Sequence, residues 1–253
     1  MIDLHKIRFI RNDRVILDDV TLTMKPGEHW VILGRNGSGK TTLLEMINGY
    51  TFPTSGTITV AGQKYGEVDI REVRKQIGYM SQSLFEKFVL RDPVWEIVAS
   101  GQFAFLRIYH KLPQETIEQC EQVLEQLRIL HLKDQPLGSL SQGERKKVML
   151  ARSLMQKPKL LILDEPCSGL DLYEREKFLS DIQGLENEEL QMVYVTHHSE
   201  EIIPIFTHVA LLHEGRLVAA GAKKDILTQE HLAKIYDMEL KVDWDGGRPW
   251  IKV

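Results

Sequence analysis

The spacing of hydrophobic and polar positions in the first part of the chain predicts short β-strands. Apolar and polar residues alternate over residues 20–24, which is typical of a half-buried strand. Residues 29–33 form a largely apolar run, followed by a glycine-rich segment and by helical spacing over residues 40–48. Further strands are predicted over residues 2–9, 56–60 and Ile77–Met80.

In the middle of the chain the spacing becomes helical. Asp92 followed by Pro93 predicts the start of a helix, with Asp92 as its N-cap. A second helix has one apolar face, and a third begins at Ser141 and ends before Pro158. The residues of the apolar face are Ile117, Cys120, Leu124 and Leu127.

Strands and helices alternate again in the last part of the chain, which is typical of an α/β fold. We predict one domain over residues 1–253. In this domain residues 1–90 and 157–253 form an α/β core, and residues 91–156 form an inserted helical subdomain. The sequence DWDGGRPW predicts a small hairpin around Gly246 and Gly247.

Composition and charge exclude several classes of protein. The 253 residues are 43% hydrophobic and 27% charged, as in a globular protein with a substantial core. The net charge of −4 provides no overall basic field, so direct nucleic-acid binding is not expected. The two cysteines, Cys120 and Cys167, lie in no metal-ligand spacing and are expected to be reduced thiols of a cytosolic protein. The N-terminus lacks the apolar run of a signal peptide, and no apolar stretch reaches the ~20 residues that span a bilayer.

The segment GRNGSGKT matches the phosphate-binding pattern GxxxxGK[ST] between a predicted strand and a predicted helix. Its glycines allow backbone N–H groups to converge on phosphate oxygens, and the helix adds its positive end. Lys40 would bridge the β- and γ-phosphates, and the Thr41 hydroxyl would bind Mg²⁺. A chance glycine-rich turn would not fill every fixed position. The predicted phosphate contacts are Gly34, Arg35, Asn36, Gly37, Ser38, Gly39, Lys40, Thr41 and Thr42.

A second candidate site is the acidic end of the apolar run LLILDEP. Such a run predicts a buried strand of a parallel sheet, whose carboxyl end is where ligands bind in open α/β folds. Because neighbouring strand residues point to opposite faces, Asp164 and Glu165 are expected to act differently. Asp164 suits Mg²⁺ binding, and Glu165 suits orienting or deprotonating the attacking water.

The segment LSQGE, Leu140 to Glu144, combines a helix start with an unexpected glycine. Ser141 and Glu144 form a capping box, which accounts for both of these residues. Gly143 costs about 0.5–1 kcal/mol relative to Ala in a helix, so we expect a group to approach its backbone closely. The segment, which includes Gln142, resembles the signature motif of the ATP-binding-cassette (ABC) ATPases. That resemblance implies that Ser141, Gln142, Gly143 and Glu144 contact ATP held by a second subunit.

Other motifs in the same order support the resemblance over nearly the whole chain. Gln82 in YMSQ resembles the Gln loop that touches Mg²⁺, and Ser168 to Asp171 resembles the D-loop at the dimer interface. His197 in VYVTHH resembles the switch histidine that binds the γ-phosphate. Arg11 falls where many ABC ATPases have an aromatic residue that stacks on adenine, so it could stack through its guanidinium plane and base selectivity stays open.

The resemblance implies a P-loop NTPase (RecA-like) α/β core with an N-terminal antiparallel β subdomain and an inserted α-helical subdomain. It also implies an ATPase whose two copies close head to tail on two Mg²⁺-bound ATP molecules and open after hydrolysis. The cofactors are then ATP and Mg²⁺, with Thr41, Gln82 and Asp164 as metal ligands and Glu165, His197 and Lys40 as catalytic residues.

Three interpretations of the process that ATP hydrolysis would drive stay open. The first is the cytoplasmic motor of a membrane transporter, peripheral at the inner face of the membrane, with transmembrane permease subunits as partners. The aromatic segment 101–105 is its candidate docking surface, although core packing explains aromatic residues equally well. The second is a soluble ABC ATPase acting on ribosomes or DNA, and the third is a P-loop kinase for a small molecule.

Within the transporter interpretation, VWEIVASGQF resembles the metal-chelate and iron–siderophore group of bacterial importers. Trp30 with VTHHSEEI resembles stand-alone cassettes related to molybdenum-transport ATPases. The substrate, the direction of transport and the membrane partner stay open.

Overall fold

The computed structural model describes residues 1–109, 111–185 and 189–253. Contacts between residues divide the chain into two units. The first unit comprises Met1–Arg74 and Gln191–Val253, and the second comprises Lys75–Leu190. In the described ranges no helix is both long enough and apolar enough to cross a membrane.

The predicted strands and helices occur in the predicted order. The strands are β1 (Ile2–Arg11), β2 (Arg14–Met24), β3 (Trp30–Leu33), β4 (Ser55–Val60), β5 (Gln63–Lys64), β6 (Ile77–Met80), β7 (Leu160–Asp164), β8 (Gln191–Thr196), β9 (His208–His213), β10 (Arg216–Ala222), β11 (Lys241–Asp245) and β12 (Arg248–Lys252). The helices are α1 (Lys40–Ile47), α2 (Ile70–Arg74), α3 (Gln82–Phe85), α4 (Val94–Ala99), α5 (Gln114–Gln126), α6 (Gln142–Leu154), α7 (Leu172–Gln183), α8 (Lys223–Ile226) and α9 (Gln229–Tyr236). The structure adds elements that the sequence analysis did not predict, namely β5, β10, α2, α3, α8 and α9.

An antiparallel sheet in the first unit confirms the predicted N-terminal β subdomain. Its strand order is β2-β1-β4-β5, and β1 pairs Ile2 with Met24 of β2 and with Val60 of β4. Ile2, Leu4 and Ile7 are fully buried, but the strict alternation stops between Leu4 and Ile7, where the register shifts. A register shift of this kind bends the strand and re-aims its side chains.

The first unit also contains the strand order β10-β9-β3-β8, in which β3 lies parallel to both of its neighbours. Every residue of β3 and of β8 is buried. This accounts for the apolar sequence of β3 and the largely apolar centre of β8, because strands covered on both faces have no solvent side. The glycine-rich segment follows β3 directly, and α1 follows that segment, so the predicted strand–loop–helix order is confirmed.

In the second unit β6 and β7 are parallel, with Ile77 opposite Leu160. The apolar face of α5 is largely as predicted, since Cys120, Leu124 and Leu127 are buried. Burial also raises the pKa of the Cys120 thiol to about 12.

The predicted start of α4 is wrong by one residue, and so is the role of Asp92. The helix begins at Val94, with Pro93 in the N-cap position. The Asp92 carboxylate is buried and pairs with Arg107, with Oδ1 and Nη2 3.2 Å apart. Asp92 therefore forms a tertiary ion pair with Arg107 and does not cap α4, contrary to the prediction from the local sequence pattern.

The predicted subdivision into residues 91–156 and a core stays a prediction. The second unit is wider than the predicted insertion, because it also includes β6, β7 and α7.

The C-terminal hairpin confirms its sequence pattern. Strands β11 and β12 are antiparallel and joined by Gly246 and Gly247, whose φ angles are 53° and 78°. Two positive φ angles define a type I′ turn, which glycine adopts without strain and which matches the twist of the strands.

The hairpin turn generates a stability prediction. Gly247→Val should lower the free energy of unfolding by about 1–3 kcal/mol, because a β-branched residue is strained at positive φ. Gly246→Asn is the matched control and should stay near wild type, since Asn-Gly also favours a type I′ turn. Urea unfolding monitored by circular dichroism measures both, and equal values for the two variants would contradict the assigned turn.

Candidate functional site

The phosphate loop, residues 34–39, requires glycine at Gly39 for two reasons. Gly39 is the N-cap of α1 with φ of 100°, a left-handed conformation. A Cβ atom at Gly39 would lie 2.7 Å from the Leu17 Cδ2 atom. Because glycine supplies no side-chain cap, the first N–H groups of α1 stay available to an anion.

Gly34 is required by packing. A Cβ atom there would lie 2.2 Å from the Leu212 carbonyl oxygen of β9 and 2.7 Å from the Ser38 Oγ atom. The Ser38 hydroxyl is buried and finds no hydrogen-bond partner within the described ranges. The loop is therefore a tight cradle of backbone with an unused buried hydroxyl, which fits the binding of a phosphate group.

Lys40 is held over this cradle. Its ammonium is buried and donates to the carbonyl oxygens of Gly34 at 2.8 Å and of Arg35 at 3.0 Å. Thr41 and Arg35 are exposed, and Thr42 is half-buried. The structure thus places the predicted lysine and hydroxyls at the head of α1, where a nucleotide phosphate would meet them.

Arg11 lies beside the same helix. Its guanidinium is 5.3 Å from the centre of the Phe9 ring, and its Nη2 atom is 3.9 Å from the Glu45 Oε2 atom of α1. Arg11 is exposed at the end of β1. The guanidinium plane of Arg11 offers a flat surface on which an adenine ring could stack. The contact between Arg11 and the base stays a prediction.

A buried carboxylate fixes the turn that carries His197. Glu201 is 3% exposed and accepts hydrogen bonds from the hydroxyls of Tyr194 at 2.8 Å and Thr196 at 2.7 Å. The Thr196 hydroxyl also accepts the His198 backbone N–H at 3.0 Å. His197 itself is half-buried, with its ring centre 4.1 Å from that of His198.

Sequence reasoning missed Glu201. The available signal was two hydroxyl residues at a spacing of two in β8, which places them on one face, followed by an acid within the next turn. The contact at His208 is of a different kind, because its ring stacks on Trp30 with centres 4.8 Å apart. That contact gives His208 a packing role at the start of β9.

In the second unit, residues of four predicted motifs line one cavity of about 130 Å³. They are Gln82, Gln142, Asp164 and Ser168. The side chains of Arg145 and Lys146 also line the cavity and make part of its wall cationic. The structure therefore brings together the Gln loop, the signature helix, the acidic strand end and the D-loop, and their individual roles stay predictions.

Asp164 is the buried last residue of β7, whereas Glu165 lies beyond the strand with φ of 46°. The argument from strand alternation is therefore wrong for this pair, because Glu165 has left the strand and its own backbone sets its direction. A left-handed conformation at a residue other than glycine costs about 1–3 kcal/mol and tends to occur at functional sites. Several other non-glycine residues of the described ranges share this conformation, so the role of Glu165 stays a prediction.

The signature segment begins α6 as predicted. The Ser141 hydroxyl accepts the Glu144 backbone N–H at 3.3 Å, and the Glu144 carboxylate accepts the Ser141 backbone N–H at 2.8 Å, so the capping box is confirmed. The pKa of Glu144 is lowered by the hydrogen bonds from the Ser141 backbone and hydroxyl. Ser141 and Gln142 are exposed.

Within this chain the group that approaches Gly143 is a side chain. A Cβ atom at Gly143 would lie 2.2 Å from the Glu174 Oε2 atom of α7. Asp171 caps α7, because its carboxylate accepts the Glu174 backbone N–H at 2.9 Å. Sequence reasoning missed Glu174, and it gave Asp171 only an interface role.

The predicted Mg²⁺ ligands fit that ion chemically. Thr41, Gln82 and Asp164 supply hydroxyl, amide and carboxylate oxygens, which are the hard donors that Mg²⁺ prefers. Across the described residues no cluster of three or more His, Cys, Asp or Glu could hold a metal. Binding of Mg²⁺ would therefore rely on mixed oxygen donors and on substrate phosphates.

A buried parallel strand, a glycine cradle and a lysine at the head of a helix define the class of P-loop nucleotide-binding proteins. Comparisons with known proteins agree. The sequence profile of the ABC transporter family matches residues 17–168. The uncharacterised ABC transporter ATP-binding protein YlmA of Bacillus subtilis is 39% identical over 254 residues, covering 99% of this chain and 96% of YlmA.

Two further proteins are similar. The energy-coupling factor transporter ATP-binding protein EcfA2 of Streptococcus thermophilus is 33% identical, covering 85% of this chain and 76% of EcfA2. The structure of cbiO1 from Clostridium perfringens, part of the ABC transporter complex cbiONQ, superposes with a TM-score of 0.78. It is 28% identical and covers 92% of each chain.

The chain belongs to the ABC transporter family, as an ATP-binding cassette. The resemblance, the P-loop NTPase fold and the ATPase class predicted from the sequence are confirmed.

The capping box generates a prediction about pH. Glu144→Gln retains an acceptor for the Ser141 N–H but removes a charge near the positive end of α6, so the wild type should be more stable at pH 7 by about 0.3–1 kcal/mol. Because the folded-state pKa of Glu144 is lowered, this advantage is present above the unfolded-state value of about 4.3 and is lost as pH falls through the folded value.

Urea unfolding between pH 7 and pH 3 measures the difference. Glu118→Gln, on the exposed face of α5, controls for the loss of a carboxylate that lies beyond the first turn of a helix and takes no part in a capping box. A wild-type advantage that persists unchanged at pH 3 would refute the prediction.

Proposed function

We propose that this chain is the motor subunit of a membrane transporter, and that two copies hydrolyse ATP as a head-to-tail homodimer. The observation that carries the proposal is the exposed N-terminus of α6, where Ser141 and Gln142 lie at the surface of a helix with a complete capping box. A helix end of this kind attracts anions, yet the chain already has a phosphate cradle at α1. A second copy supplies the nucleotide that the α6 terminus contacts.

The roles proposed within one ATP site combine the chemistry of the side chains with the resemblance to ABC ATPases. Lys40 and the phosphate-loop N–H groups bind the β- and γ-phosphates, and Arg11 stacks on the base. Glu165 orients the attacking water and accepts its proton, while His197 donates a hydrogen bond to the γ-phosphate. The signature residues Ser141 to Glu144 act on the nucleotide of the other copy.

Thr41, Gln82 and Asp164 are the proposed ligands of Mg²⁺, which neutralises charge on the phosphate oxygens when bound. ATP bridges both copies only while its γ-phosphate is intact. Hydrolysis removes that bridge, so the dimer closes on ATP and opens on ADP.

The partners are transmembrane permease subunits, which would place the chain at the cytoplasmic face of the membrane. The similar proteins support this, because one is an energy-coupling factor transporter subunit and another is part of a transporter complex. Segment 101–105 supports it as well, since Phe105 is 51% exposed and stacks on Phe103 with ring centres 6.0 Å apart. An aromatic pair with one exposed ring and one half-buried ring offers an apolar surface for docking.

Removal of the proposed catalytic base gives the central test. Glu165→Gln should keep ATP binding and lower turnover by about 10²–10⁴-fold, because the water loses its proton acceptor. ATP should then accumulate a dimer, which analytical ultracentrifugation detects. Turnover at the wild-type rate would remove Glu165 from the mechanism.

Two matched variants sharpen this test. Adding Ser141→Arg to Glu165→Gln should abolish the dimer and leave ATP binding to the monomer, because a bulky cation blocks the signature contact. Adding Ser55→Arg, an exposed change in β4, should leave the dimer intact. A normal dimer with Ser141→Arg would contradict the contribution of the signature segment to the other copy's site.

The Glu165→Gln variant, held as an ATP-bound dimer, also tests whether the chain binds membrane-spanning subunits. Affinity purification of Glu165→Gln from detergent-solubilised membranes with ATP should recover membrane-spanning subunits. Recovery should fall when Phe105→Asp is added, because a charge disfavours an apolar interface. Recovery of ribosomes without membrane subunits would favour the soluble alternative.

A further inference from the structure

The C-terminal segment of the first unit contacts the backbone that follows His197. The Tyr236 hydroxyl, at the end of α9, donates to the His197 carbonyl oxygen at 3.2 Å. Arg248 of β12 donates through Nε to the Glu200 carbonyl oxygen at 2.9 Å. The buried Lys223 ammonium donates to the carbonyl oxygens of Ile203 at 3.3 Å and Gly247 at 3.2 Å.

The next residue after Tyr236 contacts the phosphate loop. Asp237 ends α9 in a left-handed conformation, with φ of 55°, which Asp tolerates better than most residues. Its Oδ2 atom lies 2.9 Å from the Arg35 Nη1 atom. Adjacent residues of one helix end therefore contact the two segments that carry His197 and Arg35.

The ion pair between Arg35 and Asp237 adds little to the stability of the helix end. The Arg35–Asp237 pair is more than half exposed on both sides, and such pairs contribute little to stability. Burial, followed by the charge of Glu200, raises the pKa of Tyr236 to about 12. The hydroxyl therefore stays a donor at every pH used for an ATPase assay.

We propose that Tyr236 and Asp237 are positioning residues for ATP hydrolysis. Tyr236 fixes the backbone of His197 and thereby the direction of its ring, and Asp237 fixes Arg35 at the edge of the phosphate cradle. The inference rests on the proposed role of His197 in contacting the γ-phosphate. Both contacts lie within the first unit, so they form in a single copy of the chain.

Tyr236→Phe tests the first contact by removing one hydroxyl. It should lower kcat for ATP hydrolysis about three- to tenfold, which corresponds to one hydrogen bond, and should leave KM for ATP within about twofold. The matched control is Tyr65→Phe, because Tyr65 is half-buried like Tyr236 and its hydroxyl also donates to a backbone carbonyl, that of Ile47. Tyr65→Phe should lower the melting temperature comparably and leave kcat unchanged.

Asp237→Asn tests the second contact without changing the size of the side chain. It should raise KM for ATP about two- to fivefold at low ionic strength, and the effect should disappear in 0.5 M salt because exposed charges are screened. An unchanged KM at both ionic strengths would remove Asp237 from the proposal, and so would a lower KM, which would mean that Asp237 competes with phosphate for Arg35.

His197→Ala separates this inference from the function on which it rests. If His197→Ala hydrolyses ATP at the wild-type rate, the proposed role of His197 is wrong. If His197→Ala loses turnover but Tyr236→Phe behaves as Tyr65→Phe does, only the positioning role is wrong. If Tyr236 acts through His197, the double variant is no slower than His197→Ala alone.

Discussion

The ends of strands β3 and β9 approach each other so closely that Gly34 has no room for a side chain. The Leu212 carbonyl oxygen occupies the space that a Cβ atom would need. This contact fixes where the loop leaves the sheet, and Gly39 with positive φ fixes where α1 begins. The position of the Lys40 ammonium follows from these two points, because its partners are carbonyls of the same loop.

A second constraint is the buried Glu201 carboxylate, which ties the end of β8 to the turn that carries His197. A buried charged group is tolerated only when hydrogen bonds satisfy it, and Tyr194 and Thr196 provide them. The carbonyls of the turn are in turn contacted by Tyr236 and Arg248. The turn is therefore held from the sheet side by hydroxyl groups and from the C-terminal side by donors of α9 and the hairpin.

Local patterns predicted the parts of the structure that depend on local forces. The phosphate loop, the capping box of α6 and the turn at Gly246 and Gly247 each follow from a few adjacent residues. Asp92 was misassigned because its partner is Arg107, which no helix-start pattern includes. The direction of the Glu165 side chain was predicted wrongly, because β7 ends at Asp164 and strand alternation does not extend to Glu165.

Long-range partners account for what the sequence could not show. Glu174 approaches Gly143 from another helix, and Asp237 reaches Arg35 across most of the chain. The side chains of Gln82, Gln142 and Asp164 share one cavity, although helices and strands separate them in sequence. Motif order indicated that such residues work together, but their neighbours depend on packing that no motif encodes.

The carbonyl contacts of Lys40 have a consequence for selectivity. An incoming phosphate competes for this ammonium against the carbonyls of Gly34 and Arg35, so its arrival is an exchange of partners and not a simple addition. A neutral group interacts with the ammonium no more strongly than a carbonyl dipole does, so Lys40 keeps its hydrogen bonds to the loop. An oxyanion carries a full negative charge and is therefore a stronger partner for this ammonium than a carbonyl, so the cradle favours phosphorylated ligands over neutral ones.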